Sequence, residues 1–191
     1  MKILDATCGF KGMWYQKNHP FVTFMDKRKG NFRFSDTNDY ALGRDRCYKV
    51  NPDIVSEWKD APFPDNYFDM VIFDPPHLIV DRNKKKQAMV QAYGCLYKDN
   101  WQQELKQGIN KLFDVLKPEG VFVFKWCENG AKVNEVLKLF PYPPLFGSNT
   151  KSKGHTENFW ILFIKYNVNQ TVGNFFPTED IIIAKSDKSS E

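Results

Sequence analysis

The chain has 191 residues, 42% of them hydrophobic and 16% aromatic, enough for one packed domain and too many for a disordered chain. Lys and Arg number 27 against 23 Asp and Glu, and the net charge of +4 permits a nucleic-acid partner without demanding one. The longest purely apolar run, Phe159 to Ile164, is far short of a membrane span, and Cys8, Cys47, Cys95 and Cys127 lack the spacing of a disulfide framework or zinc site.

Asp5 stands where an export signal needs apolar residues, so the expected compartment is a reducing cytoplasm, with no membrane and no metal. Met1 to Ala6 reads as a buried strand closed by the turn Thr7-Cys8-Gly9. Phe21 to Met25 is β-branched and aromatic, a second strand ending at Asp26. Residues 27 to 50 show no clean period and read as loop with one short helix. Asp53-Ile54-Val55 is a weak third strand, and the Pro, Asp and Asn content of Phe63 to Asp69 marks a turn. Asp69 to Phe73 is an apolar burst that Asp74-Pro75-Pro76 stops abruptly, because prolines cannot continue a central strand.

Asn83 to Tyr97 reads as a basic helix or a loop. Trp101 to Leu116 carries apolar residues at the spacing of one helix face and ends at Lys117-Pro118-Glu119-Gly120. Val121 to Phe124 is another buried strand, and Ala131 to Phe140 a helix. Pro144-Leu145-Phe146 and Phe159 to Ile164 read as two strands joined by a Gly-, Ser- and Lys-rich hairpin. Residues 1 to 166 are expected to form the domain. Residues 167 to 191 form a polar extension, apart from Phe175-Phe176 and Ile181-Ile182-Ile183, with a disordered end.

This order predicts an α/β fold: a Rossmann-like, doubly wound, mostly parallel sheet, covered on both faces and closed by a C-terminal antiparallel hairpin strand. Ligands of such sheets sit outside the carboxyl ends of the strands. That rule gathers Asp5 to Gly12, Asp26, Glu57-Trp58, Asp74 to His77 and Lys125 to Glu128 around one crevice.

Three segments carry chemistry. The turn Thr7-Cys8-Gly9-Phe10-Lys11-Gly12 lets backbone amides approach a ligand, although a plain strand–turn explains its glycines equally well. Asp26 can accept both hydroxyls of a ribose, or be a solvated turn residue. Asp74, held between a buried strand and two prolines, is a carboxylate fixed in orientation.

Leu4-Asp5-Ala6-Thr7-Cys8-Gly9, Asp26, Ala61 to Asp69, Asp74-Pro75-Pro76 and Leu116-Lys117-Pro118-Glu119-Gly120, in that order, resemble the class I S-adenosylmethionine-dependent methyltransferases over residues 1 to 166. The Asp-Pro-Pro step is similar to that of enzymes acting on exocyclic amines of adenine or cytosine, with His77 where those carry Tyr, Phe or Trp. The resemblance implies S-adenosyl-L-methionine as cofactor. It implies that Asp5, Thr7, Cys8, Gly9 and Phe10 line its methionine end, that Asp26 holds its ribose, and that Glu57 and Trp58 meet its adenine. Phe10 is also a candidate for contact with the sulfonium. Asp74 and the Pro75 carbonyl, with Pro76 and His77, would form the catalytic step that orients the acceptor amine.

The expected reaction is methyl transfer to an exocyclic amine of a nucleobase in nucleic acid, RNA or DNA. The rivals are a methyltransferase of a small molecule or protein side chain, and an idle cofactor- or RNA-binding module. Lys84, with Lys85 and Lys86, either grips phosphate or forms a solvated charge run. Trp126 and Glu128 have a crevice role or a strand-end packing role. Lys151, Lys153 and His155 in the hairpin are expected on the substrate rim, although a surface loop histidine is the plainer reading of His155.

Overall fold

A computed structural model describes residues 1–34, 46–84, 90, 93–151 and 156–166. Its centre is a seven-stranded sheet. Five strands, β1 (Ile3–Asp5), β2 (Val22–Asp26), β5 (Ile54–Val55), β6 (Phe68–Phe73) and β9 (Leu116–Cys127), run parallel. β10 (Phe146–Lys151) and β11 (Glu157–Ile164) complete the order β10-β11-β9-β6-β1-β2-β5, and β11 alone runs against its neighbours. The expected mostly parallel sheet with an antiparallel return is therefore present. β3 (Gly30–Phe34) and β4 (Arg46–Val50) form a separate antiparallel pair, and β7 (Ile79–Val80) and β8 (Leu96–Tyr97) a short parallel one.

The chain passes from β1 to β2 and β5 on one side, then crosses to β6 on the other. That reversal puts a topological switch point between β1 and β6, where the carboxyl ends of the strands diverge into a crevice.

One face of the sheet carries the main core. Leu4, Val71, Phe73, Phe122 and Phe124 alternate along their strands towards α1 (Trp101–Val115), which buries Leu105, Ile109, Leu112 and Phe113. Phe113 stacks on Phe122 at 4.5 Å and Phe140 on Phe163 at 4.2 Å, so stacked aromatic rings run through this layer. The short helix α2 (Val133–Leu137) adds Val133, Val136 and Leu137 to the same cluster. The opposite face buries Ile3, Cys8, Val22 and Phe24, with Trp14 edge-on to Phe24 at 5.3 Å. Residues 6–21, which link β1 to β2, form turns and cover this face over β1 and β2, while both described α-helices pack into the first cluster.

Other boundaries shift for local reasons. The segment 27 to 50 holds β3 and β4 rather than loop and a short helix, as far as it is described. The helix ends at Val115 and the ladder begins at once, with Leu116 opposite Phe68 and an irregularity before Val121 meets Met70. β10 starts at Phe146 and runs through Gly147-Ser148-Asn149-Thr150, an exposed edge strand without apolar alternation. Lys165 closes the far end of α1: its Nζ donates to the carbonyls of Phe113 and Leu116, both at 2.7 Å, meeting acceptors that the helix end leaves unpaired. Its burial holds that ammonium below the ordinary lysine value. Residues 167–191, with the expected disordered end, lie outside the described residues.

Gly108 on α1 faces Trp58, which sits in a 3-10 turn spanning Trp58–Asp60. A Cβ at Gly108 would lie 2.0 Å from Trp58 Cδ1. Gly108→Ala gains about 1 kcal/mol of helix propensity, yet it overpacks a buried ring at a cost of about 1–3 kcal/mol. Net destabilisation in urea unfolding is the expected outcome; net stabilisation would show that the Trp58 ring gives way freely.

Candidate functional site

The crevice at the switch point is an open cleft of about 320 Å³, counting its mouth. Ala6 and Thr7 enter it from the end of β1, Asp26 with Lys27 and Arg28 from the end of β2, and Asp74 and Pro76 from the end of β6. Trp58 and Tyr93 complete the walls.

A chain of polar contacts crosses the carboxyl ends of four neighbouring strands. Gly9 N donates to Asp26 Oδ2 at 2.9 Å, joining the glycine turn to β2. The amide of Asp74 donates to Thr7 Oγ1 at 2.9 Å, joining β1 to β6 across the switch point. Lys125 Nζ, on β9, meets Asp74 Oδ2 at 2.7 Å with both side chains largely shielded. Gly9 adopts φ +50°, a left-handed conformation that favours glycine, and a Cβ there would meet no atom within 4 Å. Space therefore lies open above the turn.

Asp26 is 5% exposed and already engaged. Besides Gly9, its carboxylate accepts the Arg28 amide at 2.9 Å and Arg28 Nε at 3.2 Å. Two carboxylate oxygens offer about four acceptor positions, so among the described residues room remains for one further donor. The buried Trp58 turns the edge bearing Nε1 towards Gly108, where this donor has no hydrogen-bond partner among the described residues. Glu57, beside it, pairs with Lys59 at 3.2 Å and Lys27 at 3.9 Å.

Asp5 stands behind the cleft. It is fully buried, accepts Trp14 Nε1 at 2.7 Å and the Thr7 amide at 3.2 Å, and presents no surface to a ligand. Burial pushes its carboxyl up to about 7, against the lowering effect of those two donors. Cys8 is buried in the opposite-face core, and that burial raises its thiol. Phe10 is half-buried and stacks on Tyr48 of β4 at 4.6 Å. Pro75 and Pro76 are buried and His77 is half-buried. Burial holds the His77 imidazole below its ordinary value, opposed by Asp74 and assisted by Lys125.

The substrate-side expectations divide. Trp126 is fully buried, and its Nε1 donates to the carbonyl of Ala131 at 3.0 Å. It is a core residue, and the crevice role is corrected. Glu128 accepts the amide of Val133 at 2.9 Å and anchors the start of α2. Lys151 ends β10 with Nζ 3.2 Å from Glu157 Oε1, an exposed ion pair. The backbone of Lys84 closes a 3-10 turn, Arg82–Lys84, and its side chain lies outside the described set. Lys85, Lys86, Lys153 and His155 also lie outside the described residues.

Sequence reasoning missed Trp14 and Tyr93, and it gathered Lys125 at the crevice without foreseeing its pairing with Asp74. Lys125 carried a usable signal, a lone cation in the apolar run Val-Phe-Val-Phe-Lys-Trp, one position past the partner of Phe73. Trp14 carried none beyond its nearness to the glycine turn.

No family model matches the chain, and a search of curated proteins returns no match. Solved structures do match. A protein of Pyrococcus horikoshii superposes with a TM-score of 0.54 at 16% identity, over 87% of this chain and 82% of that one. The 1,6-didemethyltoxoflavin-N1-methyltransferase of Burkholderia thailandensis, solved with S-adenosylhomocysteine bound, does so with a TM-score of 0.50 at 13% identity over 86% and 71%. The cyclase SpnF matches with a TM-score of 0.51 at 11% identity over 86% and 74%. The fold is the Rossmann-like fold of these structures. At these identities the likeness establishes the fold alone, and the cyclase shows that it serves more than one reaction. Among the described residues no helix is long and apolar enough to cross a membrane.

The buried Asp5 makes stability depend on pH. Its folded value lies above the ordinary 3.8, so the native state binds this proton more tightly than the unfolded chain does. Its burial costs nothing while both states are protonated. The cost grows as pH rises from 3.8 to about 7 and is complete above that. Relative to wild type, Asp5→Asn should gain stability between pH 5 and pH 8, on the order of 2 kcal/mol. Urea unfolding at the two values checks this, and a pH-independent difference would contradict it.

Proposed function

We propose that the chain is an S-adenosylmethionine-dependent methyltransferase acting on a nitrogen of a small molecule. The observation that carries this reading is the linked set Asp26–Gly9, Thr7–Asp74 and Asp74–Lys125, of which Thr7, Asp26 and Asp74 line one cleft at the switch point. Support comes from the fold and from the structural neighbour solved with bound 1,6-didemethyltoxoflavin and S-adenosylhomocysteine. The expectation of a nucleobase within nucleic acid has less support. Of its proposed rim cations, Lys151 is paired with Glu157.

The residues present fit the cofactor. Open space above Gly9 suits the methionine end, the remaining acceptor position of Asp26 suits a ribose hydroxyl, and Trp58 offers an apolar wall for an adenine. When bound, the cofactor would supply an activated methyl for the lone pair of an acceptor nitrogen. The protein then has mainly to place a lone pair in line. Asp74 serves that end. One of its oxygens is held by Lys125, and the other can accept an N–H of the acceptor and stabilise positive charge developing on nitrogen. Thr7 fixes the strand end from which Asp74 projects.

Two outcomes test this. Asp26→Ala, with the fold verified by circular dichroism, should weaken S-adenosylmethionine binding by about 1.5–3 kcal/mol in titration calorimetry; unchanged affinity would remove Asp26 from the cofactor site. Asp74→Ala should leave that affinity nearly intact and lower turnover by about two or more orders of magnitude. Lost cofactor binding with normal turnover at saturation would assign Asp74 to the cofactor side instead.

A further inference from the structure

The sheet has two apolar faces, and the described elements fill only one of them completely. On β9, Phe122, Phe124 and Trp126 point into the main core, so Val121, Val123 and Lys125 point the other way. Register carries this second face onto the neighbouring strands. Val121 lies opposite Ile164 and Val123 opposite Leu162 on β11, and Leu162 in turn lies opposite Phe146 on β10. On the other side, Met70 and Ile72 of β6 continue it.

The cluster that contains Trp14 takes in Met70 and Ile72. None of Val121, Val123, Leu162, Ile164 and Phe146 belongs to either core cluster. Phe146 is 61% exposed and Leu145 beside it 49%. A mostly parallel sheet needs cover on both faces, and an apolar patch that runs across three strands marks a contact surface.

The sequence holds a segment with the complementary shortage. Residues 167–191 are polar apart from Phe175-Phe176 and Ile181-Ile182-Ile183, and a solvated extension has no use for such clusters. The chain enters this segment from a fixed point just beyond Ile164. Lys165 Nζ holds the carbonyls of Phe113 and Leu116, both at 2.7 Å, and the Tyr166 ring leans on Tyr142 at 5.8 Å. The stretch from Tyr166 to Phe175 can span roughly 30 Å, whereas β11 and β6, with only β9 between them, lie about 10 Å apart. Reach is ample. The core face is already occupied by α1 and α2, which leaves the second face as the apolar surface within range. Charge agrees: Glu179, Asp180, Asp187 and Glu191 outnumber Lys185 and Lys188 in the segment, while the whole chain is basic at +4.

We propose that residues 167–191 fold back over the second face of the same molecule and seat Phe175, Phe176 and Ile181 to Ile183 on the apolar residues of β9, β10 and β11. The assignment concerns the far side of the sheet from α1 and is independent of the reaction.

Photo-crosslinking of the full chain tests it. Phe176→p-benzoylphenylalanine and, separately, Ile182→p-benzoylphenylalanine are irradiated in dilute solution, and the adducts are mapped by mass spectrometry. At least one position should yield adducts within a single molecule, on peptides of β9, β10 or β11. Adducts joining two molecules would give the face to a second copy, and adducts on α1 or none from either position would leave it to another partner; each overturns the assignment. Dye binding supplies a second readout. The full chain carrying Phe175→Ser, Phe176→Ser and Ile182→Asp should raise the fluorescence of anilinonaphthalene sulfonate roughly fivefold over wild type, with circular dichroism unchanged, because the apolar face is then bare. An unchanged dye signal from that folded variant would also overturn the assignment, and if the variant fails to fold, the adducts decide.

Discussion

The hydrogen bond from the Asp74 amide to Thr7 Oγ1 is the contact on which the rest of the site depends. It spans the switch point, where the two strand ends would otherwise simply diverge. With Gly9–Asp26 on one side and Asp74–Lys125 on the other, it links the carboxyl ends of β2, β1, β6 and β9 into one polar line. Each member springs from a buried strand whose opposite face belongs to the main core. Groups mounted this way lose little freedom when a ligand arrives, which is the condition for positioning a nucleophile within a few tenths of an ångström.

The same line solves an electrostatic problem. Asp5, Asp26 and Asp74 crowd one end of the sheet, and three unpaired carboxylates there would repel one another. Each has a different remedy. Arg28 folds back onto Asp26, Lys125 reaches across from β9 to Asp74, and Asp5 is withdrawn into the interior with Trp14 Nε1 as its donor. Withdrawal leaves Asp5 the group whose charge is most expensive, and its carboxyl rises accordingly. Trp14 also packs edge-on to Phe24, so one side chain both satisfies Asp5 and covers a stretch of sheet that no described helix reaches.

The central strands and the main helix were readable because burial on both faces writes continuous apolar bursts, as in Met70 to Phe73 and Val121 to Phe124. The crevice followed from the rule for parallel sheets, which brought Thr7, Asp26 and Asp74 together correctly. What escaped lacked such a signature. β10 is an exposed edge whose residues are free to be polar, and β3 and β4 pair chiefly with each other. For Trp126, strict alternation with Phe122 and Phe124 decides between the crevice role and the packing role in favour of the core. The Asp74–Lys125 pair had no such signature, because its partners lie 51 residues apart and only the β6–β9 pairing joins them.

A crystal structure of the protein grown with S-adenosylhomocysteine tests the central claim most directly. The account predicts the ribose against Asp26, the adenine against Trp58, and the sulfur turned towards the space between Asp74 and Tyr93. A ligand bound away from the switch point, or one whose ribose is held by other groups while Asp26 keeps only Gly9 and Arg28, would contradict it.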